Sequence, residues 1–309
     1  MLPGMDFGKV TDPNNVDFRF PPDHADTTRL LAADGAEPAE TPSQVYVGCA
    51  KWGRPDWIGQ FYPKGTKAAQ FLSVYAQHFN CVELNATFHR MPEATQTQKW
   101  ADQTGAEFRF FPKMYQGVTH WQRLNEGAQA TTEQFLRGMD GFGRKLGTIF
   151  VQLPPNFAPK SADTLRSYLR AFPRAEYRVT VELRHPGWFG DPSVYDETFA
   201  MLHELGVGAV ITDTSGRRDV LHQRLTTNEA FIRFVGNNLH ESDYTRLQAW
   251  ADRIDQWLKQ GLRRVCFFMH HPDEQHSPTL VTHFAKLLAE RTGVAIRIPA
   301  LIQEAPSLF

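Results

Sequence analysis

Short apolar runs alternate with longer amphipathic segments along this chain from Gln44 onward. Runs rich in β-branched and aromatic residues are typical of strands, and apolar residues at helical spacing are typical of the helices that cover them. Strands are predicted at residues 45–49, 81–85, 108–113, 148–153, 178–183, 208–212, 231–236 and 264–269. Helices are predicted between them, most clearly over 67–79, 93–104 and 243–261, and Gly261 is a typical helix stop.

This order of elements predicts an α/β protein with a (β/α)₈ TIM-type barrel over residues 44–309, because eight strands alternate with helices across about 250 residues. An open doubly wound sheet is the alternative, and the strand count disfavours it. The sequence has no G-x-G-x-x-G, G-x-x-x-x-G-K-S/T or G-x-S-x-G motif, so mononucleotide-loop and serine-hydrolase functions have no support.

Residues 1–43 are rich in Pro, Asp, Ala and Thr and lack sustained periodicity. They are predicted to be an irregular extension, partly disordered or draped over the barrel, that folding does not require.

Composition excludes several classes of partner. The net charge of −1 gives no global attraction to nucleic acid or to an anionic membrane, and no apolar run approaches the ~20 residues that cross a bilayer. The N-terminus lacks the layout of a signal peptide. The three cysteines, Cys49, Cys81 and Cys266, lie in strand-like contexts without metal-ligand spacing, so we interpret them as buried reduced thiols of a cytoplasmic protein.

Polar residues gather where the predicted strands end, which is where TIM barrels build their active sites. We expect Glu83, Lys113, Glu182, Arg184, Asp213 and Arg233 to converge there. An unpaired buried carboxylate is costly, so Lys113 or Arg233 is expected to offset Glu83. The catalytic candidates are Glu83, Lys113, His120, Glu182 and Asp213. The substrate-binding candidates are Trp52, Asn85, Gln152, Arg184, His185, Arg233 and His270.

The charges of this set favour an anionic ligand, since Lys51 joins Lys113, Arg184 and Arg233 and the bases outnumber the acids. Mutual pairing without a ligand is the alternative. In the favoured hypothesis Glu83 or Glu182 is the general acid or base, and the cations bind a phosphate or carboxylate. Lys113 is either a Schiff-base amine or an ion-pair partner, and the sequence does not distinguish the two.

The loop after the first strand, "CAKWGRPDWIGQFYP", carries Trp52, Trp57, Phe61 and Tyr62. Aromatic residues at this place either stack on a sugar or base or pack the loop onto the barrel. We favour packing and retain Trp52 as a binding candidate. Further along the chain, Arg246 is expected on the exposed face of its helix.

Spaced motifs over roughly residues 44–290 resemble the YecE-like family, domain of unknown function 72. They are "W" at 52, "W-x-G" at 57–59, "FYP", "VELNATFHRMP", "T-x-x-W" spanning Thr97 to Trp100, "F-x-x-K" ending at Lys113, "THWQRL", "FVQLPPNF", "VELRHPGWF", "VITDTSGRRDVLH", "IRFVGN" and "HHPDE". The resemblance implies a TIM-type barrel with a polar pocket and implies no reaction. The chain departs from the family pattern at Ala50 and Lys51, and at Phe268-Met269-His270, where many members have Phe-Asn-Asn.

Two further hypotheses come from other functional classes. A metal-dependent isomerase or endonuclease IV-like phosphodiesterase would use Glu182 and Asp213, but Arg233 stands where a neutral histidine ligand is expected. A divalent metal is therefore not favoured, and no cofactor is predicted. A nucleic-acid binder would place phosphates on the basic residues and bases on Trp52 or Trp57. It is not favoured, because the chain has no basic stripe.

Overall fold

The computed structural model describes residues 8–35 and 43–302 of the chain. Within these ranges the strands are β1 Gln44–Cys49, β2 Cys81–Leu84, β3 Arg109–Pro112, β4 Ile149–Gln152, β5 Val179–Glu182, β6 Gly208–Asp213, β7 Glu229–Val235 and β8 Arg264–His270. The α-helices are α1 Ala25–Gly35, α2 Phe71–His78, α3 Ala86–His89, α4 Ala94–Asp102, α5 Ala128–Met139, α6 Ala162–Ala171, α7 Gly187–Gly190, α8 Pro192–Glu204, α9 Glu241–Lys259 and α10 Ser277–Thr292. Each predicted strand therefore has a counterpart near its expected position.

The strands pair in parallel, as expected for an α/β fold in which helices connect successive strands. Six of them form one sheet in the order β1-β8-β7-β6-β5-β4, and β2 pairs with β3. Single bridges join the ends of β3 and β4, at Phe110–Leu146 and Lys113–Phe150. Within residues 8–35 and 43–302, the continuous ladders thus join six strands and two strands rather than all eight. The parallel α/β arrangement is confirmed at this level.

The strands share an inner face whose side chains pack against one another and apart from the main core. Its apolar members are Tyr46, Cys81, Phe111, Phe150, Val210, Phe231, Cys266 and Phe268. The ring of Phe111 on β3 lies 5.0 Å from that of Phe268 on β8, so the β2–β3 pair faces the six-stranded sheet. The intervening residues belong to the larger core that the helices cover. Side chains alternate between the two faces because the strand period is two residues.

The described part of the N-terminal extension contains a helix, α1, which the sequence reading did not predict. The Thr27 hydroxyl donates to the Gln223 carbonyl at 3.1 Å and accepts from the Leu225 amide at 2.9 Å, and Leu31 is fully buried. The Phe20 ring lies 4.6 Å from that of Trp250 on α9. Residues 8–35 are therefore draped over the β6–β7 side of the protein, and the rest of segment 1–43, apart from Ser43, lies outside the described residues.

All three cysteines are buried and outside disulfides, as predicted. Burial raises the pKa of each thiol well above its ordinary value. Among the described helices, none combines the length and the apolar character that crossing a membrane demands.

Candidate functional site

The polar residues at the carboxyl ends of the strands continue the alternation of the inner face. Glu83 follows Cys81 by two residues, Lys113 follows Phe111, and Arg233 follows Phe231. By the same count the inner face ends in Glu83, Lys113, Gln152, Glu182, Thr212, Arg233 and His270. Each of these side chains comes from a different strand or strand end. This group is called the inner polar layer below.

Arg233 lies at the centre of the inner polar layer and holds two carboxylates. Its Nε donates to Oε2 of Glu83 at 2.8 Å, and its Nη2 donates to Oε1 at 2.9 Å. Its Nη1 donates to Oε2 of Glu182 at 2.8 Å. The two carboxylates raise the pKa of Arg233 against the opposing effect of burial. Of the two partners considered for Glu83, the geometry selects Arg233, in the paired fork that suits a guanidinium.

Glu83 is fully buried and has further polar partners. The Asn85 amide donates to Oε1 at 2.7 Å, and Nε2 of His270 lies 3.1 Å from Oε2. Burial alone would raise the pKa of Glu83, but Arg233 and His270 hold it well below its usual range. Asn85 also donates to the Ala50 carbonyl at 3.2 Å, which ties the layer to the end of β1.

Glu182 is held in a similar way on the other side of Arg233. The Nε of Arg184 donates to Oε1 of Glu182 at 2.7 Å. Burial opposes ionisation, yet Arg184 and Arg233 lower the pKa of Glu182 to about 2. Burial also lowers the pKa of Arg184, against the attraction of Glu182. Both glutamates are therefore ionised at neutral pH and have their oxygens engaged by donors.

Lys113 has a different environment, although it belongs to the same layer. It is 8% exposed, and its Nζ donates to Oε1 of Gln152 at 2.7 Å. The same nitrogen lies 4.2 Å from the centre of the Phe88 ring. Across the described residues, no carboxylate oxygen lies within 4.0 Å of this nitrogen. Burial, followed by repulsion from Arg233 and Arg184, lowers the pKa of Lys113 to about 7.

His120 lies in a π-helical turn, Gly117–Trp121, a geometry often found at functional sites. Its Nδ1 is 2.8 Å from the Thr119 hydroxyl, and its ring packs edge-on against Phe88 at 4.9 Å. Burial, followed by repulsion from Lys113 and Arg184, lowers the pKa of His120 to about 4. The imidazole is therefore neutral at pH 7. Lys113 and His120 meet through the Phe88 ring that both contact.

A cavity of about 410 Å³ opens at the ends of β6, β7 and β8. Arg184, Arg233 and His270 line it on the strand side, and Asn237 and Asn238 follow from the end of β7. The opposite wall is formed by residues of the N-terminal extension between Gly8 and Pro13. The cavity therefore joins the inner polar layer to a segment that sequence reasoning had left out of the site.

Two buried polar atoms on the cavity wall lack hydrogen-bond partners among the described residues. They are the hydroxyl of Thr212 and Nε2 of His271. Buried polar atoms are usually satisfied, so each exception calls for a partner such as a ligand or water. Neither residue was chosen from the sequence. The alternation of side chains along β6 would have identified Thr212, because it lies two residues beyond the inward-facing Val210.

Asp213 does not join the other candidates, and the prediction that it converges with them is wrong. The same alternation turns its side chain to the outer face, towards α9. Its Oδ1 accepts from Nη1 of Arg246 at 3.0 Å and also from Arg218, and its Oδ2 accepts from the Trp250 indole at 2.8 Å. Burial opposes ionisation, but Arg246 and Arg218 keep the pKa of Asp213 below its ordinary value.

Arg246 is buried, contrary to the expectation of an exposed helical position. Its side chain passes between α9 and the sheet, where Nη2 donates to Oδ1 of Asp243 at 2.8 Å and to the Val235 carbonyl at 3.0 Å. The guanidinium lies 4.2 Å from the centre of the Phe234 ring. Arg246 lies on the buried face of α9, where its charge is offset by Asp213 at the end of β6 and by Asp243 on the same helix.

Four other residues considered from the sequence have contacts that explain their positions without a ligand. Trp52 packs edge-on against Trp100 at 5.6 Å, and Trp57 is fully buried with its indole donating to the Glu274 carbonyl at 2.9 Å. Nδ1 of His185 accepts from the Gly187 amide at 3.0 Å, at the start of α7. Lys51 lies 3.6 Å from Glu274. Packing of the aromatic loop, the favoured interpretation, agrees with these contacts.

The described residues contain no group of three or more His, Cys, Asp or Glu side chains arranged to hold a metal ion. Glu182 and Asp213, the pair on which the metal hypothesis depended, face opposite sides of the sheet. Arg233 donates to Glu182 and brings a positive charge to the place where a cation would bind. The donor set thus does not fit a divalent metal.

The family model described as "Protein of unknown function DUF72" matches residues 46–304. The chain is 29% identical to UPF0759 protein YecE of Escherichia coli strain K12 over 283 residues, which is 86% of this chain and all of that protein. It is also 29% identical over 209 residues to UPF0759 protein YunF of Bacillus subtilis strain 168, with 63% of this chain and 71% of that protein covered.

Solved structures of DUF72 family proteins share the fold. One from Enterococcus faecalis superposes with a TM-score of 0.65 at 17% identity, covering 85% of this chain and 99% of that one. One from Thermotoga maritima gives a TM-score of 0.63 at 24% identity, covering 79% and 99%. The resemblance found in the sequence motifs is confirmed by the match over residues 46–304, and the chain belongs to the DUF72 family of proteins of unknown function.

Proposed function

We propose that this protein is an enzyme that acts on a small anionic substrate, of sugar-phosphate-like size and charge, by acid–base chemistry at the carboxyl ends of its strands. The observation that carries the proposal is the cavity beside Arg184 and Arg233, with the unpartnered Thr212 hydroxyl and His271 Nε2 on its wall. Guanidinium groups bind phosphate and carboxylate well, and buried unpartnered atoms gain most from a polar ligand.

The roles within the inner polar layer differ from those expected from the sequence alone. Glu83 and Glu182 are surrounded by donors and strongly favour the ionised form, so they suit positioning of Arg233 and Arg184 better than proton transfer. Lys113, with its pKa lowered to about 7 mainly by burial, is the group best matched to acid–base work at neutral pH. His120 is the second proton-transfer group, in its neutral form. Asn85 and His270 orient Glu83, and Gln152 orients Lys113.

We also propose that the eight strands form one closed (β/α)₈ barrel over the region from residue 44. Side chains support the closure between β1 and β2. The Asn80 amide donates to the Val45 carbonyl at 2.8 Å and accepts from the Val47 amide at 3.3 Å. The Tyr75 hydroxyl accepts from the Cys49 amide at 2.9 Å and donates to the Cys81 carbonyl at 3.0 Å. The single bridges between β3 and β4 support closure on the other side.

The ligand proposal is tested by adding inorganic phosphate and ribose 5-phosphate while unfolding is followed by heat or denaturant. Binding should stabilise the wild type in proportion to mass action, by about 2.7 kcal/mol at one hundred times the dissociation constant. Thr212→Val should weaken ribose 5-phosphate binding on the order of 10-fold, because one hydrogen bond is lost. The unliganded variant should stay as stable as the wild type, since the hydroxyl it loses has no hydrogen-bond partner among residues 8–35 and 43–302.

Thr226→Val is the matched control. Thr226 is equally buried, but its hydroxyl donates to the Val207 carbonyl at 2.7 Å. This variant should lose stability and keep its affinity. If neither anion stabilises the wild type and divalent cations do, the metal-dependent alternative replaces the proposal. If only oligonucleotides bind, with a steep loss of affinity on adding salt, the nucleic-acid alternative replaces it.

A further inference from the structure

The side-chain nitrogen of Lys113 is buried without an anionic partner among the described residues. Its hydrogen bond goes to the neutral amide of Gln152, and its other close neighbour is the face of Phe88. An amide oxygen accepts a hydrogen bond from a neutral amine as well as from an ammonium ion. Glu182 and Glu83 favour the ammonium form from a distance, but neither carboxylate pairs directly with the amine among the described residues, and their attraction is outweighed by burial and the nearby arginines.

Two guanidinium groups add to this preference for the neutral form. Arg233 and Arg184 both act on Lys113 as repelling positive charges, and after burial they are the largest influences that lower its pKa. A lysine that is desolvated and placed beside other cations gains nucleophilic character, because more of it carries a free lone pair at neutral pH.

A second titratable group, His120, shares a neighbour with the amine. The His120 ring packs on the same Phe88 ring that Lys113 contacts, and its Nδ1 is held by the Thr119 hydroxyl at 2.8 Å. Burial and nearby cations keep this imidazole neutral and only weakly basic at pH 7, so it can relay a proton without retaining it. Lys113 and His120 thus combine an amine with a neutral imidazole.

We propose that Lys113 is a nucleophilic amine that forms a Schiff base with the aldehyde or ketone group of an anionic substrate. This rests on the proposed function, because Arg184 and the cavity would hold the substrate's phosphate or carboxylate. The Nζ lone pair attacks the carbonyl carbon, a C–N bond forms, and the C=O π electrons move to oxygen. His120 takes a proton from nitrogen and returns it to that oxygen. The oxygen then leaves as water after a second proton transfer from nitrogen, and a C=N bond remains.

The nucleophilicity of Lys113 is measured without a substrate by competitive labelling with trace acetic anhydride across pH, followed by peptide mapping. We expect Lys113 to acetylate with a midpoint near pH 7, whereas lysines on the surface follow the ordinary value near 10.4. A midpoint above about 9, or no acetylation of Lys113 at any pH, would overturn the inference.

The covalent step is measured by adding sodium borohydride in the presence of pyruvate or dihydroxyacetone phosphate, with neutral acetone as the comparison. Reduction turns a Schiff base into a stable secondary amine, seen as an added mass on the Lys113 peptide. We expect at least 10-fold more label on Lys113 with one of the anionic carbonyls than with acetone. Label shared evenly among surface lysines, or unchanged in total in Lys113→Arg, would overturn the inference.

Lys145→Arg is the matched control, because Lys145 is also partly buried but donates to the carbonyls of Ala101 and Thr104. It should label like the wild type. The two proposals fail separately. If phosphate stabilises the protein but no Schiff base is trapped, the anion-binding function stands and the nucleophilic amine is rejected. If Lys113 is trapped equally by acetone and phosphate does not bind, the amine stands and the anionic substrate is rejected.

Discussion

Arg233 and Arg246 lie at the ends of neighbouring elements, β7 and α9, and look alike by most measures. They are 6% and 1% exposed, and each holds two carboxylates. Arg233 binds Glu83 and Glu182 on the inner face, and Arg246 binds Asp213 and Asp243 outside the sheet. A charge count alone would identify both as candidate sites.

The two networks differ in what surrounds them. Arg246 is enclosed, since its guanidinium lies between the rings of Phe18 and Phe234 at 4.9 and 4.2 Å, and Trp250 completes the donors to Asp213. Arg233 borders a cavity whose wall also carries two buried polar atoms without partners among the described residues. Buried ion pairs are thus compatible with a purely structural role. Unmet hydrogen bonds beside an open volume are the feature that distinguishes a site.

The largest effect is expected from breaking the enclosed network. Arg246→Met should lower the free energy of unfolding by about 3–5 kcal/mol, because it leaves the buried Asp243 without its cation and Asp213 with Arg218 alone. Arg233→Met should cost less, since Arg184 and His270 remain near the glutamates and water can enter the cavity. Urea unfolding of both variants measures the difference. Arg29→Met, at an exposed ion pair, is the control and should change stability by less than about 1 kcal/mol.

If Arg233→Met lowers the free energy of unfolding as much as Arg246→Met or more, the comparison fails, because the inner network would then exclude water as well as the outer one.

A pH-dependent effect should come next in size, and it belongs to the inner network alone. Burial lowers the pKa of Lys113 from 10.5 to about 7 in the folded state, so between these values the unfolded chain binds more protons than the folded protein. Stability contributed by this group therefore rises with pH in that window, by about 1.4 kcal/mol per pH unit for one proton. Denaturant unfolding of the wild type and Lys113→Met should diverge in this way from about pH 7 to pH 9. Parallel curves would mean that Lys113 is an ordinary ammonium ion.

The smallest effect should come from uncovering the outer network. Phe18→Ala removes the ring that lies over Arg246, and we expect a loss of about 1–2 kcal/mol from the cation–π contact and its packing. The neighbouring Arg19→Ala is the control, because Arg19 is exposed and pairs with Asp17 in water. If Phe18→Ala is as stable as the control, the extension only lies on the surface and the original expectation that it is dispensable is restored.

Much of the fold could be predicted from the sequence because the strands are short apolar runs at regular intervals. The polar residues at the strand ends could also be found, and Glu83, Lys113, Glu182, Arg184 and Arg233 do lie together. Asp213 was predicted to join the site because the alternation of side chains along β6 was not applied: Val210 faces inward, so Thr212, two residues later, also faces inward and Asp213 faces outward. Counting in steps of two from the inward aromatic residues would have corrected this.

Other errors have different causes. Arg246 lies at helical spacing with the buried Trp250 and Ile254, so its charge, not its spacing, suggested exposure, and the carboxylates of Asp213 and Asp243 make its burial favourable. The extension has little periodicity because it is held by separate anchors, such as Thr27 on Gln223 and Leu225, rather than by one apolar face. The unpartnered atoms of Thr212 and His271 are properties of the assembled cavity, so they exist only in three dimensions.

The wall built from Gly8 to Pro13 has a consequence for how far knowledge can be transferred within the family. Gly8 adopts a φ of +85°, and a side chain there would collide with Thr214, so this stretch is closely fitted to the end of β6. The family match begins only at residue 46. Relatives that keep the arginine–glutamate network but differ in the N-terminal extension can therefore enclose cavities of other shapes. A substrate identified for one member would have to be tested again in each relative whose extension differs.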